Sequence, residues 1–499
     1  MLQIVPPQAV AQQSSQVGFK SHAYGGFDAE PSGRAITGQK PESKLWFHDG
    51  EWWAAMLDPE LEGAHTIHRL ADETWVSTGV VIDSRPSIKE DVLSLGNKLY
   101  ILARANGDAG DNKLMRFTYA SGSYSPDTDF DVPVTVPGTR PEALTLARDS
   151  LDNLWVSYEQ GGEIYVARTE GSDHTQWGVP FVIPVLGATG VLVDDISAVV
   201  SFSDNTGPAI GVMWSNQSAD KISFAVHRDG APDTSWSEET ALSGALEAND
   251  HINMKTAQDQ IFSVVKTSHT ADEQPIIRLL VRSPSGSWEP HPVTFRSEGD
   301  KTRPIAVLHV DPSENKAYVF MTIDEGHLAE GIEYKATSLD DISFPTHSTP
   351  FIRGGNGEAI NNATSMKANA TAASGIVVMA SGGSHYWWNR LGGSGPPANT
   401  AESKTNLKHR ARPHRFLGKV KSDDARCISG RKLVIKKVRR GKDRVVARTT
   451  SRGNGKWSAP HKRGGRGRYY AVVKRLMIQD GAGTIRCLGG RSSTKRFRR

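Results

Sequence analysis

Aromatic residues recur along this chain at nearly constant spacing. Trp75, Tyr124, Trp177, Trp236, Trp288 and Phe344 stand 49, 53, 59, 52 and 56 residues apart, each opening a strand-like run after a polar turn. A second series, Arg85, Arg140, Asp195, Asp250, Arg303 and Asn361, is spaced by 55, 55, 55, 53 and 58 residues, each just ahead of the next strand-like run. Two offset markers sharing one period describe a single supersecondary unit used many times. A period of about 50 residues built of short strands points to a propeller or solenoid array.

Each unit reads as four short strands. In the first, Leu45–His48, the turn Asp49-Gly50 and Glu51–Leu57 form an Asp-Gly hairpin. Five comparable units follow, and a seventh begins at Ala363 but stops one strand short near Asn389. The segment Gln16–Tyr24 precedes the first unit and has no other home. Donated as the missing outer strand, it would close the ring and remove exposed sheet edges. The expectation is an all-β chain: a seven-bladed propeller over residues 16–390 (six or eight blades being the neighbouring solutions), then a linker over 391–415. Beyond it, short strands between Gly-rich turns predict a small β-sandwich over 416–499.

The whole-chain charge of +4 conceals two opposite halves. Residues 404–499 hold 31 Lys and Arg against 4 Asp and Glu, a net of +27, which leaves −23 for residues 1–403. An acidic body with a basic tail suggests that the tail seeks polyanions: acidic cell-wall polymers, and nucleic acid only non-specifically through phosphate contacts. The alternative is that tail and body neutralise one another. No apolar run of 18 residues exists, so no transmembrane segment is predicted.

Both cysteines, Cys427 and Cys487, lie in the basic region without metal-ligand spacing around them. A disulfide is the natural reading in an exported protein, and two buried thiols the reading in a cytosolic one. Residues 1–15 form a leader in which Ala9-Val10-Ala11 resembles a signal-peptidase site, as in the remnant of a signal peptide. The expected location is therefore secreted or at the cell surface.

The turn-then-aromatic element resembles the Asp box of sialidase (BNR) propellers, in degenerate form, at Ser172–Trp177, Asp229-Gly230 leading to Trp236, and Ser285–Trp288. The tail is similar to the transthyretin-like or carboxypeptidase-regulatory-like sandwiches appended to secreted actinobacterial proteins. That likeness rests on Gly418, Val420, Cys427, Gly430-Arg431, the turn Gly453–Trp457, Gly467, Tyr469 and Cys487. The first resemblance implies a propeller; the second implies an accessory module.

A sialidase needs arginines converging on a carboxylate, because guanidinium forks bind carboxylates in bidentate fashion. Arg85, Arg140 and Arg303 each precede proline and share one position in the repeat, with Asp195, Asp250 and Asn361 completing a mixed-sign ring of candidate ligand-binding residues. The alternative is structural: proline fixes the strand start and the arginines pair with nearby carboxylates. Tyr158 or Tyr386 could serve as nucleophile, though nothing in the sequence selects either. Trp52-Trp53 and Tyr386–Trp388 are possible sugar-stacking platforms, or packing between blades. Adjacent acidic pairs such as Glu90-Asp91 point to opposite faces of a strand and make poor acid–base pairs. No cofactor or metal is predicted, and no catalytic residue is identified. The leading reading is a secreted propeller that binds a glycan or other ligand at the cell surface, anchored by the basic sandwich; the second is a sialidase-like hydrolase or lyase, and the third a scaffold for a protein partner.

Overall fold

The computed structural model describes residues 16–24, 36–393 and 400–497, apart from 39, 72, 106–109, 131, 140, 326–327, 356–357, 402, 411–413, 423, 440–442, 462–465, 475 and 481–482. The leader at 1–15 lies outside the described residues. The chain divides into two compact units, Met1–Gly393 and Ser394–Arg499.

In the first unit the described strands form successive antiparallel sheets. Their first strands are Leu45–His48, Lys89–Leu95, Thr145–Arg148, Ser197–Asp204, Ile252–Ala257, Lys301–His309 and Ile360–Thr364. The last two sheets are joined through one parallel pair, Glu330 with Ile360. Asp49 and Gly50 both take positive φ, 52° and 74°, as the tight hairpin of the first sheet requires. Helical turns among the described residues are short 3₁₀ segments, and no described helix is long and apolar enough to cross a membrane.

The cores close these sheets into a ring, which makes the first unit a β-propeller. Separate clusters of buried side chains lie between sheets one and two, two and three, three and four, four and five, and five and six; one more joins six, seven and one. Each aromatic of the periodic series enters a different one of these cores. The contacts run back to the preceding sheet: Tyr124 packs edge-on to Trp53 with ring centroids 5.1 Å apart, Trp236 meets Trp155 at 6.0 Å, and Trp288 meets Phe224 at 5.2 Å. The six clusters thus take one ring of the series each, and the cluster shared by sheets six, seven and one takes Trp75.

The seventh sheet is completed by the N-terminal strand. Phe19–Ala23 runs antiparallel to His385–Leu391, with Phe19 opposite Trp388 and Lys20 opposite Trp387. The rings of Phe19 and Trp388 stack at 4.6 Å. Val17 and Arg353 exchange two backbone hydrogen bonds of 3.0 Å, tying the same segment to the sixth sheet.

In the second unit, Arg415–Ser422 pairs with Lys456–Pro460, and Lys432–Lys437 pairs with Arg444–Thr450 and Gly467–Val473. These sheets share a core containing Phe416, Leu433, Ile435, Trp457, Tyr469 and Val473. Cys427 and Cys487 form a disulfide, both fully buried. Part of the segment read as linker belongs to this unit: Ser403–Thr405 and Lys408–Arg410 pair with Arg415–Ser422, and Leu407 is buried in its core. Gly and Pro before residue 398 signalled the break, but the short polar strands after it lack an alternating apolar pattern.

Candidate functional site

The first strands of the sheets surround a channel, whose head is the end at which those strands begin. Residues 36–44 carry the chain from the N-terminal strand to the first sheet and lie across that head, with every described residue buried. The Thr37 hydroxyl donates to the Asn362 carbonyl at 2.7 Å. The Ser43 amide donates to Asp91 at 2.9 Å and the Lys44 amide to Thr364 at 3.2 Å. The Glu42 carboxylate accepts from Arg104 at 2.8 Å, and the Lys44 ammonium is bonded to Glu90, which His65 also contacts. One strand of chain thus clasps sheets two and seven before it starts sheet one.

Lys40 is the centre of this clasp. Its ammonium donates to Glu142 at 2.6 Å and to Asp250. Glu142, Asp194 and Asp250 precede the first strands of sheets three, four and five, and their carboxylate oxygens lie within 4.8 Å of one another. Burial would raise the Asp250 carboxyl, but His251, 2.8 Å away, and Lys40 outweigh it and hold the group well below the usual carboxylate range. Asp194 is shifted the other way, by burial and by the charges of Asp250 and Glu142. Burial also depresses His251, to about 4, so Asp250 accepts from a ring that is neutral at pH 7.

The periodic polar residues reach different ends. Asp250 joins the Lys40 cluster. Asp195 is fully buried and accepts from the backbone amides of Leu192 at 2.8 Å and Gln217 at 3.2 Å, so it shapes the turn before sheet four. Arg85 forks onto Asp83 (Nε at 3.0 Å, Nη2 at 2.6 Å) and donates to the Asp111 carbonyl at 2.7 Å. Arg303 occupies an irregular position in Lys301–His309 with φ 50°. Asn361 pairs with Ser381 and accepts from the Asn362 amide at 2.7 Å. Arg140 lies outside the described residues. The Glu90-Asp91 pair diverges as strand alternation requires, Glu90 to Lys44 and His65, Asp91 to Ser43, Leu146 and Lys367.

The aromatic runs are packing, and the stacking expectation is corrected: Trp52, Trp53, Tyr386, Trp387 and Trp388 are all buried. Neither tyrosine is poised to attack. Burial pushes the Tyr158 hydroxyl far up, and the Tyr386 hydroxyl accepts from the Leu57 amide at 3.0 Å.

Below the clasp the channel holds a cavity of about 230 Å³. Pro41 and Ser43 line its upper part; Leu93, Ala147, Val200 and Met254 form apolar walls; Arg148 stands exposed at the ends of the strands. Two cations line it from within. Lys367 is bonded to Asp91 and donates to the Leu146 carbonyl at 2.6 Å. Lys255 donates to the carbonyls of Met366 at 2.7 Å and Lys367 at 3.4 Å. Burial lowers the Lys255 ammonium to about 7, and the charge of Lys367 adds to the shift. A lysine between Met254 and Thr256 in the first strand Ile252–Ala257 was the sequence signal for this site. Lys40 and Glu142 carried no comparable signal.

These charges predict the acid limit of the fold. Glu90 and Asp250 are both held below their ordinary range, so their contribution is present above about pH 4 and lost as pH falls through the folded values. Glu42 and Asp195, raised by burial, act in the opposite sense at higher pH. Denaturant titrations followed by tryptophan fluorescence should show stability falling steeply below about pH 4, with Asp250→Asn flattening that fall.

No family model matches the chain, and no curated protein matches it. Solved structures resemble it at low identity. A variant of the Aleuria aurantia lectin in complex with alpha-methyl-L-fucoside is 15% identical, with 64% of this chain and 98% of that one covered and a TM-score of 0.39. A GH43_1 enzyme from Xanthomonas citri is 12% identical over 51% of this chain and 92% of that one, with a TM-score of 0.31. Prolyl oligopeptidase B from Galerina marginata is 9% identical over 80% and 58%, with a TM-score of 0.41. Likeness at this level assigns neither ligand nor activity.

Proposed function

We propose that the first unit is a binding propeller that takes a small acidic saccharide into its channel, and that the basic second unit holds acidic polymers at the cell surface. The observation that carries the first part is the cavity. It is smaller than the roughly 300–1,000 Å³ of pockets for drug-sized ligands. It combines apolar walls with inward-facing Lys255 and Lys367 and the hydroxyls of Ser43, Thr145, Ser201 and Thr256. None of the described lining residues is aromatic, so recognition would run through charge and hydroxyls rather than stacking. An array of acidic and neutral glycans probed with the full chain should show acidic hits. Thr256→Trp, which fills a partly exposed wall position, should weaken them by about tenfold or more. Neutral hits only, or acidic hits indifferent to that change, would remove the channel from the reading.

A second reading, a glycoside hydrolase or lyase of sialidase type, draws on Asp194 and Asp250, neighbouring carboxyls shifted in opposite directions. Against it, the Lys40 ammonium stands among the carboxylates where a glycosidic oxygen would have to lie. Turnover of a glycoside panel that Asp194→Asn abolishes would favour this reading.

The polymer-holding part rests on the tail's +27 over residues 404–499. The full chain should bind heparin with a steep salt dependence, and truncation of Ser394–Arg499 should abolish retention. Equal retention by the truncated chain would assign the binding elsewhere.

A further inference from the structure

Lys255 differs from most lysines of this propeller in what surrounds it. It is 4% exposed, yet its side chain lines a cavity rather than a packed core. Among the described residues its hydrogen-bond acceptors are two backbone carbonyls, those of Met366 and Lys367. Lys367, whose charge adds to the lowering of Lys255, is itself bonded to Asp91 and Leu146, and the Asp91 charge offsets part of that lowering. Burial and a second ammonium nearby favour the free, nucleophilic amine near neutral pH, against the two carbonyl acceptors, which favour the ammonium.

We propose that the Lys255 Nζ is a reactive amine that forms a reversible imine with a small oxo acid, an aldehyde or ketone carrying a carboxylate, inside the channel. This goes beyond saccharide binding and does not depend on it. The amine nitrogen adds to the carbonyl carbon, and the carbonyl oxygen leaves as water. A protonated imine remains, whose positive charge replaces that of the ammonium and whose N–H can still reach the Met366 carbonyl. The apolar wall of Met254, Ala198 and Val200 limits water around the adduct, and the cations Lys367 and Arg148, the latter paired with Asp152 at 3.0 Å, provide for the carboxylate. Asp91 opposes the anion, but it is bonded to Lys367.

The depressed basicity of Lys255 supports the reaction. With its proton lost near pH 7, its free-amine fraction there is about a thousandfold that of an ordinary lysine. Lower basicity reduces intrinsic nucleophilicity, so the net advantage expected is on the order of tenfold or more.

The test uses the intact native chain. It is treated at pH 7 with glyoxylate and cyanoborohydride, which delivers hydride to the imine carbon and fixes the adduct as a carboxymethylated secondary amine. Peptide mapping by mass spectrometry then gives a rate for each lysine. Lys255 is expected to be modified at least about tenfold faster than the median lysine, with a rate that levels off above pH 7 and an excess that disappears in denaturant. A smaller margin at pH 7, or an excess that persists in denaturant, overturns the proposal. Glycan binding is read separately, so either can fail without the other.

Discussion

Replacing Lys40 by methionine should cost the propeller about 3–5 kcal/mol, the range for removing one partner of a buried ion pair. The Lys40 side chain is 2% exposed and bridges Glu142 and Asp250, which stand just before the first strands of sheets three and five. Without the ammonium, Glu142, Asp194 and Asp250 face one another within 4.8 Å, with the pull of Lys40 gone. Asp194, already raised by burial and by the charges of Asp250 and Glu142, would be raised further. Its contribution to stability would be greatest below the ordinary carboxylate range and would fall as pH rises through the raised value. The wild-type chain should run the opposite way below about pH 4. Urea titrations of both proteins between pH 7 and about 4 should therefore converge towards acid. A parallel offset at all pH values would mean that Lys40 acts by packing its stem rather than by its charge.

Loss of the disulfide should be comparably damaging to the second unit. Cys427 and Cys487 are 60 residues apart, and on the chain-entropy account a loop of that length stabilises by about 4 kcal/mol. The unit's core is small, centred on Phe416, Trp457 and Tyr469. Arg431, fully buried, donates to the carbonyls of Cys427 at 2.9 Å and Leu488 at 2.9 Å, so the bond also fixes a buried cation's acceptors. Cys427→Ser with Cys487→Ser should leave this unit unfolded or readily cleaved at 37 °C while the propeller keeps its own transition. Limited proteolysis with mass mapping reads the two units separately. Protection of residues 400–497 equal to the wild type would contradict the estimate.

Much of the propeller was legible because each of the six core clusters takes one large ring, supplied at nearly constant spacing along the chain. Trp75, Tyr124, Trp177, Trp236, Trp288 and Phe344 could be read without knowing any contact. The missing strand of the seventh set and the surplus strand before the first set were likewise a matter of counting. The head of the channel was less legible for a physical reason. A period of about 55 residues locates the turn before each first strand, but neighbouring side chains there point different ways. Asp195 turns to backbone amides while Asp194 feels the charges of Asp250 and Glu142. Lys40 belongs to the connection before the first repeat, so no periodicity marks it. The stacking aromatics failed for the converse reason: Trp52-Trp53 and Tyr386–Trp388 are large enough to serve either role, and burial decides.

The central claim is that the ligand enters the channel below the clasp. A crystal structure of the full chain soaked with the strongest acidic hit from the glycan array tests it most directly. The account predicts the ligand between Met254, Val200 and Ala147, with its carboxylate towards Lys255 and Lys367, and the bond between Lys40 and Glu142 intact. Density at Glu142, Asp194 and Asp250 with Lys40 displaced, or on the outer strands with an empty channel, would contradict it.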